Sequence, residues 1–137
     1  MRCLPVRLQP GVDLRRAVEA LGRQHFPEGG FVACGIGSLI DPRLRLAGDE
    51  GLTPYVGAFE ILTLSGSVTP DGAHLHISIA AASGQVFGGH VPYGNEVRTT
   101  VKLLVLAPSG WALRRELDPL TGFAELAVQP IDRGGVV

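Results

Sequence analysis

The spacing of hydrophobic residues near the N-terminus predicts one helix. The apolar positions of this segment follow helical spacing: Leu14, Ala17, Val18 and Leu21. Asp13 stands just before them, where an aspartate can cap the free N–H groups of the first helical turn. Gly22 can adopt the left-handed conformation that closes many helices. We therefore predict a helix that begins after Asp13 and ends near residue 23.

Alternation of apolar and polar residues predicts strands in most of the remaining chain. The candidates span residues 4–8, 31–39, 43–47, 59–68, 73–80, 85–91, 97–106 and 123–129, and residues 48–54 are predicted to be a loop. The 19 glycines and 10 prolines are spread along the chain, which favours tight turns over a flexible linker. The pattern predicts a sandwich-like α+β fold with one main helix and a central, mostly antiparallel or mixed sheet of six or seven strands.

Length and composition predict a single domain. The chain has 137 residues, of which 45% are hydrophobic, and this is enough for a core that needs no disulfides. We take residues 1–137 as one domain with its core at about 4–130, and we predict that residues 131–137 form a frayed tail. Two cysteines cannot build a disulfide framework, and Cys34 lies in the apolar run FVACGIG, where we predict it to be buried.

The charge balance excludes strong attraction to polyanions by the protein as a whole. The formal net charge is −1, so DNA binding would need a local basic patch. The candidates for such a patch are Arg98, Lys102, Arg114 and Arg115, although four cations on a nearly neutral protein usually form an ordinary solvated surface. Because the chain has no long apolar run and no apolar signal core, we predict no membrane contact and a cytoplasmic location.

Three histidines form the most informative pattern in the sequence. His74 and His76 are two residues apart in a predicted strand, so both side chains lie on one face of the sheet. We predict a three-residue loop at 82–84, because Gly84 suits the left-handed position that ends such a loop, and this loop pairs His76 with His90 on the returning strand. A four-residue loop would pair Leu75 with His90 instead and would break the cluster, unless a bulge at the two glycines before His90 restored it.

Three imidazoles with an open fourth position suit zinc or another divalent metal ion. The alternative is a trio of histidines hydrogen-bonded to other polar groups near a subunit interface. Ser38, Glu60 and Arg98 are further candidates for lining the site. Alternation places Glu60 on the same face as Leu62 and Leu64, which also fits a structural ion pair with a residue such as Arg98.

Several motifs together resemble the plants-and-prokaryotes-conserved (PPC) domain. They are GIGSL at 35–39, FEILTLSGSV at 59–68, HLHISIAAASGQVFGGHV at 74–91, VRTT at 97–100 and the pattern from Leu113 to Leu126. The resemblance extends from about residue 10 to residue 129. It implies a compact α/β domain that assembles as a homotrimer. It also implies a link to DNA, because the plant domain follows a basic AT-hook and stand-alone prokaryotic members are labelled as candidate DNA-binding proteins.

The sequence departs from the plant pattern in ways that weaken the transfer of DNA binding. It has no Arg-Gly-Arg-Pro core of an AT-hook, and it has histidines where the plant domain generally lacks them. In GAFEIL at 57–62, Ala58 replaces the basic residue that is usual in the plant partner-contact motif.

Three functional hypotheses follow. The first is a homotrimeric binding or regulatory module with a divalent metal ion or small ligand on His74, His76 and His90. The second is a DNA-binding protein, for which we expect weak binding only. The third is an uncharacterised metal-dependent enzyme, although no serine stands in a G-x-S-x-G elbow and no residue is assigned a catalytic role.

Overall fold

The computed structural model describes residues 1–131, which contain one helix and ten strands. Their bounds are β1 (Arg2–Leu8), α1 (Leu14–His25), β2 (Gly30–Ile40), β3 (Arg43–Leu44), β4 (Thr53–Pro54), β5 (Ala58–Thr69), β6 (Gly72–Ala80), β7 (Val86–His90), β8 (Glu96–Ala107), β9 (Trp111–Leu117) and β10 (Ala124–Pro130). The predicted tail falls largely on residues 132–137, which lie outside the described part of the chain.

Six strands form the central sheet, in the order β1-β8-β2-β5-β6-β7, and every neighbouring pair is antiparallel. Two small two-stranded sheets, β9 with β10 and β3 with β4, complete the fold. The predicted α+β class with one main helix and a mostly antiparallel sheet is confirmed. Helix α1 packs on β5 and β6, and the core lies between this helix and one face of the sheet. This leaves the opposite face of β6 free to carry polar side chains.

The helix begins where the sequence predicts and ends two residues later than expected. Asp13 Oδ1 accepts a hydrogen bond from the Arg16 backbone N–H at 2.9 Å, as an N-cap should. The prediction that Gly22 closes the helix is wrong, because the chain leaves the helix at Phe26. Gly22 is needed for packing instead, since a Cβ at this position would clash with Val68 on β5. The helix is also too short to cross a membrane, and no membrane-spanning helix is found within residues 1–131.

Two irregularities overturn predicted side-chain directions. A register shift between Ile61 and Thr63 in β5 places Glu60 and Leu62 in solvent but buries Leu64, so these three residues do not share a face. A second shift, between Val32 and Cys34 in β2, places Cys34 on the exposed face. The prediction that Cys34 is buried is therefore wrong, because one extra residue reverses the alternation.

Strand β9 was not predicted, and it forms a hairpin with β10. Its sequence WALRREL carries two arginines and a glutamate in succession, which interrupts the apolar alternation. The short strand β4 also lies in a segment that was predicted to be entirely loop. The candidate strand at 43–47 is shorter than expected, since β3 ends at Leu44 and is followed by a single β-bridge from Arg45 to His90.

Candidate metal centre

The turn between β6 and β7 is the three-residue loop that the sequence predicts. The Ala81 N–H donates to the Gln85 carbonyl at 2.9 Å, and Gly84 has a φ of +84°. From this turn the register runs without interruption to the pair His76 and His90. No bulge is therefore needed at the two glycines before His90.

The three histidines converge on the face of the sheet opposite the core. Their candidate ligand atoms all lie within 4.8 Å of one another, and the Nε2 atoms of His74 and His76 are 3.1 Å apart. Nitrogen ligands of tetrahedral zinc, at about 2.0–2.1 Å from the ion, lie about 3.3–3.4 Å from each other. Small side-chain rotations would therefore bring the three imidazoles into that geometry.

The surroundings of His74 and His90 favour the neutral form of the imidazole ring. Burial lowers the pKa of His90 to about 4, and the positive charges of neighbouring His74, Arg45 and Arg15 act in the same direction. Burial also lowers the pKa of His74, again with help from a neighbouring guanidinium, that of Arg115. Because a metal ion binds the neutral ring, both side chains are ready to coordinate at neutral pH.

One atom of the cluster is buried without a partner. Among the described residues, Nδ1 of His90 is the buried side-chain nitrogen or oxygen that makes no hydrogen bond. A buried polar atom in this condition is costly, and an ion or water that binds it would remove the cost. This observation fits a metal ligand better than a histidine held only by structural hydrogen bonds.

The histidines line a cavity of about 740 Å³. Its charged lining residues are three arginines and one glutamate: Arg15, Arg45, Arg115 and Glu125. Arg15 Nε donates a hydrogen bond to Oε1 of buried Glu19 at 3.1 Å, which forms an ion pair. The Arg15 guanidinium also lies 4.4 Å from the ring centroid of Tyr93. The Glu19 carboxylate also accepts hydrogen bonds from the Tyr93 hydroxyl and from the Ala73 N–H, all at 3.0 Å. This network connects α1 to the start of β6, one residue before His74.

A family model described as the Plants and Prokaryotes Conserved domain matches residues 1–107 of the chain. The protein belongs to this family. The resemblance deduced from the motifs is thereby confirmed. The β9–β10 hairpin, which contributes Arg115 and Glu125 to the cavity, follows the matched residues.

The curated relatives of this PPC-domain protein include proteins much longer than the chain. The bifunctional protein GlmU of Synechococcus sp. (strain JA-2-3B'a(2-13)) is 41% identical over 131 residues, which are 96% of this chain and 21% of that protein. The chain therefore spans about a fifth of the length of the curated relatives that it matches.

Solved structures share the fold over nearly the whole chain. A hypothetical protein from Salmonella enterica is 32% identical, with a TM-score of 0.89 over 94% of each chain. A metal-containing protein from Archaeoglobus fulgidus is 24% identical, with a TM-score of 0.79 over 93% of this chain and 94% of that one. A protein from Bacteroides thetaiotaomicron, named as a candidate DNA-binding protein, is 18% identical, with a TM-score of 0.78 over 91% of each chain.

The other predicted lining residues of this PPC-domain protein lie elsewhere in the fold. Ser38 is buried in β2, where its hydroxyl lies 2.6 Å from that of Thr99. Glu60 pairs with Ser38 across β2 and β5 and is exposed, and Arg98 is exposed on β8. None of Ser38, Glu60 and Arg98 is among the described residues that line the histidine cavity.

Sequence reasoning missed the charged residues that surround the histidines. Arg45 joins the site through its bridge to His90, which is 45 residues away in the chain and carries no local signal. Arg115 and Glu125 belong to the β9–β10 hairpin, of which only β10 was predicted. A sequence signal for Arg115 did exist, since WALRREL precedes a predicted strand at a spacing that fits a hairpin.

The four candidate residues of a basic patch are divided between two sheets. Arg98 and Lys102 lie on β8 in the central sheet. Arg114 lies on β9, where it forms a 2.9 Å ion pair with Glu28, and Arg115 lines the histidine cavity. Arg114 is therefore neutralised by Glu28, and Arg115 belongs to the histidine cavity.

Proposed function

We propose that this protein is a binding or regulatory module that holds one divalent metal ion per chain, zinc or an ion of similar chemistry, on His74, His76 and His90. The observation that carries the proposal is the convergence of three imidazole nitrogens within 4.8 Å of one another on one face of the β6–β7 hairpin. When bound, the ion would supply an open coordination position with Lewis-acid character. The unpartnered Nδ1 of His90 supports the assignment, and so does burial, which lowers the pKa of both His74 and His90.

The relatives are in keeping with this role. The Archaeoglobus fulgidus protein of the same fold is described as metal-containing. The match to one fifth of the bifunctional protein GlmU indicates that a domain of this type can be part of a longer chain, as a binding module can. Among the described residues, Glu125 is the carboxylate that lines the cavity, so we place binding before metal-dependent catalysis. We also propose a cytoplasmic location.

Metal analysis of protein purified without a polyhistidine tag tests the proposal. We expect about one metal ion per chain in the wild-type protein and none in His76→Ala. His25→Ala is the matched control, because His25 is the fourth histidine of the chain and lies outside the cluster. Equal metal content in wild type and His76→Ala would overturn the proposal.

We further propose that the module is a homotrimer formed by copies of this chain. The face of the central sheet that carries the histidines also carries exposed apolar side chains, among them Phe31 on β2. Ile36 and Leu62, which are 57% and 46% exposed, add to the apolar surface of the neighbouring strands. Leu126 and Val128 on β10 are exposed as well. So much apolar surface on a small chain is typical of an interface between subunits.

DNA binding is the alternative function, favoured by the description of structural neighbours as candidate DNA-binding proteins. Those neighbours are at most 19% identical and share the fold. The separation of the basic residues between two sheets and the net charge of −1 argue for weak binding. We therefore rank this function below metal binding.

A further inference from the structure

We propose that the histidine cavity binds a small oxyanion, a carboxylate or a phosphate group, with Arg45 as its cationic partner and the open position of the metal ion as its second anchor. The proposal rests on the proposed metal site and names the class of ligand that this site would take. It follows from the register of the sheet, the distribution of charge in the cavity and the space that the cavity provides.

The register places Arg45 on the same face as the histidines. Arg45 is bridged to His90, His90 pairs with His76, and His76 pairs with Ser65, so the four residues form one row across the sheet. Directly opposed residues of antiparallel strands point to the same side. The Arg45 side chain therefore lies on the same side of the sheet as the imidazoles of His90 and His76.

The backbone of Arg45 is firmly held in this place. Its N–H donates to the His90 carbonyl at 3.1 Å, and its carbonyl accepts from the His90 N–H at 3.0 Å. The close approach depends on Gly89, where a Cβ would lie 2.8 Å from the Arg45 carbonyl oxygen. A fixed backbone reduces the conformational cost that binding would otherwise impose on the segment.

The charges in the cavity favour an anion. Of its three arginines, Arg15 is already paired with Glu19, and Arg115 donates a hydrogen bond to the Ala124 carbonyl. The guanidinium of Arg45 makes no side-chain hydrogen bond or ion pair within residues 1–131. Glu125 opposes this positive field, but it is a single carboxylate against the two guanidiniums of Arg45 and Arg115 that no carboxylate within the described chain neutralises. A bound divalent ion would add two further positive charges.

Arg45 lies beside the candidate metal ligands, because its β-bridge places it opposite His90 and its side chain lines the same cavity. A guanidinium is well suited to carboxylate and phosphate groups, because it donates two parallel hydrogen bonds to them. A metal ion held by the three histidines would supply the second contact to the same anion.

The cavity has room for more than a single oxyanion. Its volume of about 740 Å³ is in the range of sites for small organic ligands. Phe123 and Leu46 line it beside the charged groups and provide apolar contact surface. The natural ligand would therefore carry the oxyanion as a head group on a larger body.

The test compares anion binding by three metal-loaded proteins. Wild type, Arg45→Gln and Arg7→Gln are each loaded with Co²⁺, and inorganic phosphate and acetate are titrated in separate experiments. Arg7→Gln is the matched control, because Arg7 is exposed on β1 and outside the cavity. Calorimetry gives the dissociation constant, and the visible spectrum of Co²⁺ reports whether the anion enters its coordination shell.

We expect phosphate or acetate to bind wild type and Arg7→Gln with a change in the Co²⁺ spectrum, and to bind Arg45→Gln about tenfold more weakly or worse. The titration in which binding is observed identifies the head group as a phosphate or a carboxylate. Equal affinity of wild type and Arg45→Gln would overturn the inference, and so would the failure of both anions to bind wild type below about 10 mM.

The metal content separates this inference from the proposed function. If Arg45→Gln retains a full complement of metal and loses only the anion, both proposals are supported. If wild type holds no metal, the proposed function fails, and the same titrations on metal-free protein decide whether Arg45 binds the anion unaided. Loss of metal from Arg45→Gln would mean that Arg45 maintains the site itself, which would overturn its role as an anion partner.

Discussion

His76 and His90 lie directly opposite each other in the antiparallel pair of β6 and β7, and this relationship assembles the site. It depends on the length of the loop at 82–84, because each strand presents alternate side chains to opposite faces. No further contact is needed to place His74 on this face, since it is two residues from His76 on the same strand. The loop, not a distant contact, is therefore the first determinant of the cluster.

The first prediction concerns the register that this loop sets. Insertion of one alanine between Val86 and Phe87 keeps the three-residue loop but moves His90 one position along β7, so that it pairs with Leu75 and turns to the opposite face. We expect the insertion variant to bind less than a tenth of the metal bound by wild type, measured by elemental analysis. Val86→Ala, which leaves the number of residues in β7 unchanged, should bind a full complement. Full binding by the insertion variant would show that the register does not control the site.

The second prediction concerns stabilisation by the metal. A ligand that binds only the folded state at one hundred times its dissociation constant stabilises that state by about 2.7 kcal/mol. For a domain of this size we expect zinc to raise the Tm by about 5–10 °C in wild type and in His25→Ala. We expect no rise in His76→Ala. A thermal scan with and without a chelator measures the difference, and a rise in His76→Ala as large as in wild type would contradict the assignment.

The helix cap and the hairpin could be predicted because each depends on neighbours in the chain. Asp13 bonds to the N–H of Arg16, three residues away, and the loop at 82–84 fixes the position of His90 within a dozen residues. Short-range rules therefore gave both the helix start and the three-histidine face, although they placed the helix end near residue 23 rather than at His25.

The remainder of the site and two side-chain directions depend on partners far along the chain. The extra residues near Leu62 and before Cys34 are accommodated as register shifts against β6 and β8, and these are properties of the strand pairs, not of the single strand. Arg45 reaches His90 through a bridge formed only after the sheet has folded. The alternation of apolar and polar residues within one segment carries no information about these pairings.

The third prediction concerns the pH dependence of stability in the metal-free protein. The pKa of His90 is about 4 in the folded state, and the value for an unperturbed histidine is 6.5. The unfolded chain therefore binds a proton first as the pH falls, and folded-state stability is lost progressively from pH 6.5 down to about 4. The lowered pKa of His74 acts in the same direction.

Urea unfolding of metal-free wild type and His90→Gln at several pH values measures this effect. Glutamine does not titrate, so the variant should lose less stability between neutral pH and pH 4.5 than wild type does. The carboxylates of the two proteins are the same, and their contribution cancels in the comparison. Parallel pH profiles for the two proteins would contradict the assigned shift.

The fourth prediction concerns the homotrimer. Sedimentation equilibrium at micromolar concentration should give about three times the chain mass of 14.4 kDa. The double variant Ile36→Lys/Leu62→Lys places two charges on the exposed apolar surface and should dissociate the assembly. Val56→Lys is the matched control, because Val56 is 90% exposed but lies in the segment between β4 and β5. The mass of a single chain for the wild type would refute the assembly.

The last prediction concerns DNA. Affinity that depends on phosphate contacts increases with the number of cations that one face presents to the duplex. Arg98 and Lys102 lie on β8, whereas Arg114 is paired with Glu28 and Arg115 lines the cavity. With a formal net charge of −1 per chain, three copies would carry a charge of about −3 and would weakly repel the phosphates.

We therefore expect DNA binding that is weaker than micromolar, independent of sequence and lost as salt is raised. A fluorescence anisotropy titration at about 150 mM salt measures it, because charges separated by more than about 8 Å are largely screened there. Arg98→Gln/Lys102→Gln should weaken any residual binding at low salt, whereas Arg114→Gln should leave it nearly unchanged, since the guanidinium of Arg114 is engaged by Glu28. Submicromolar, sequence-selective binding at this salt concentration would place DNA recognition ahead of the metal-binding function, because phosphate contacts of so few cations cannot account for it.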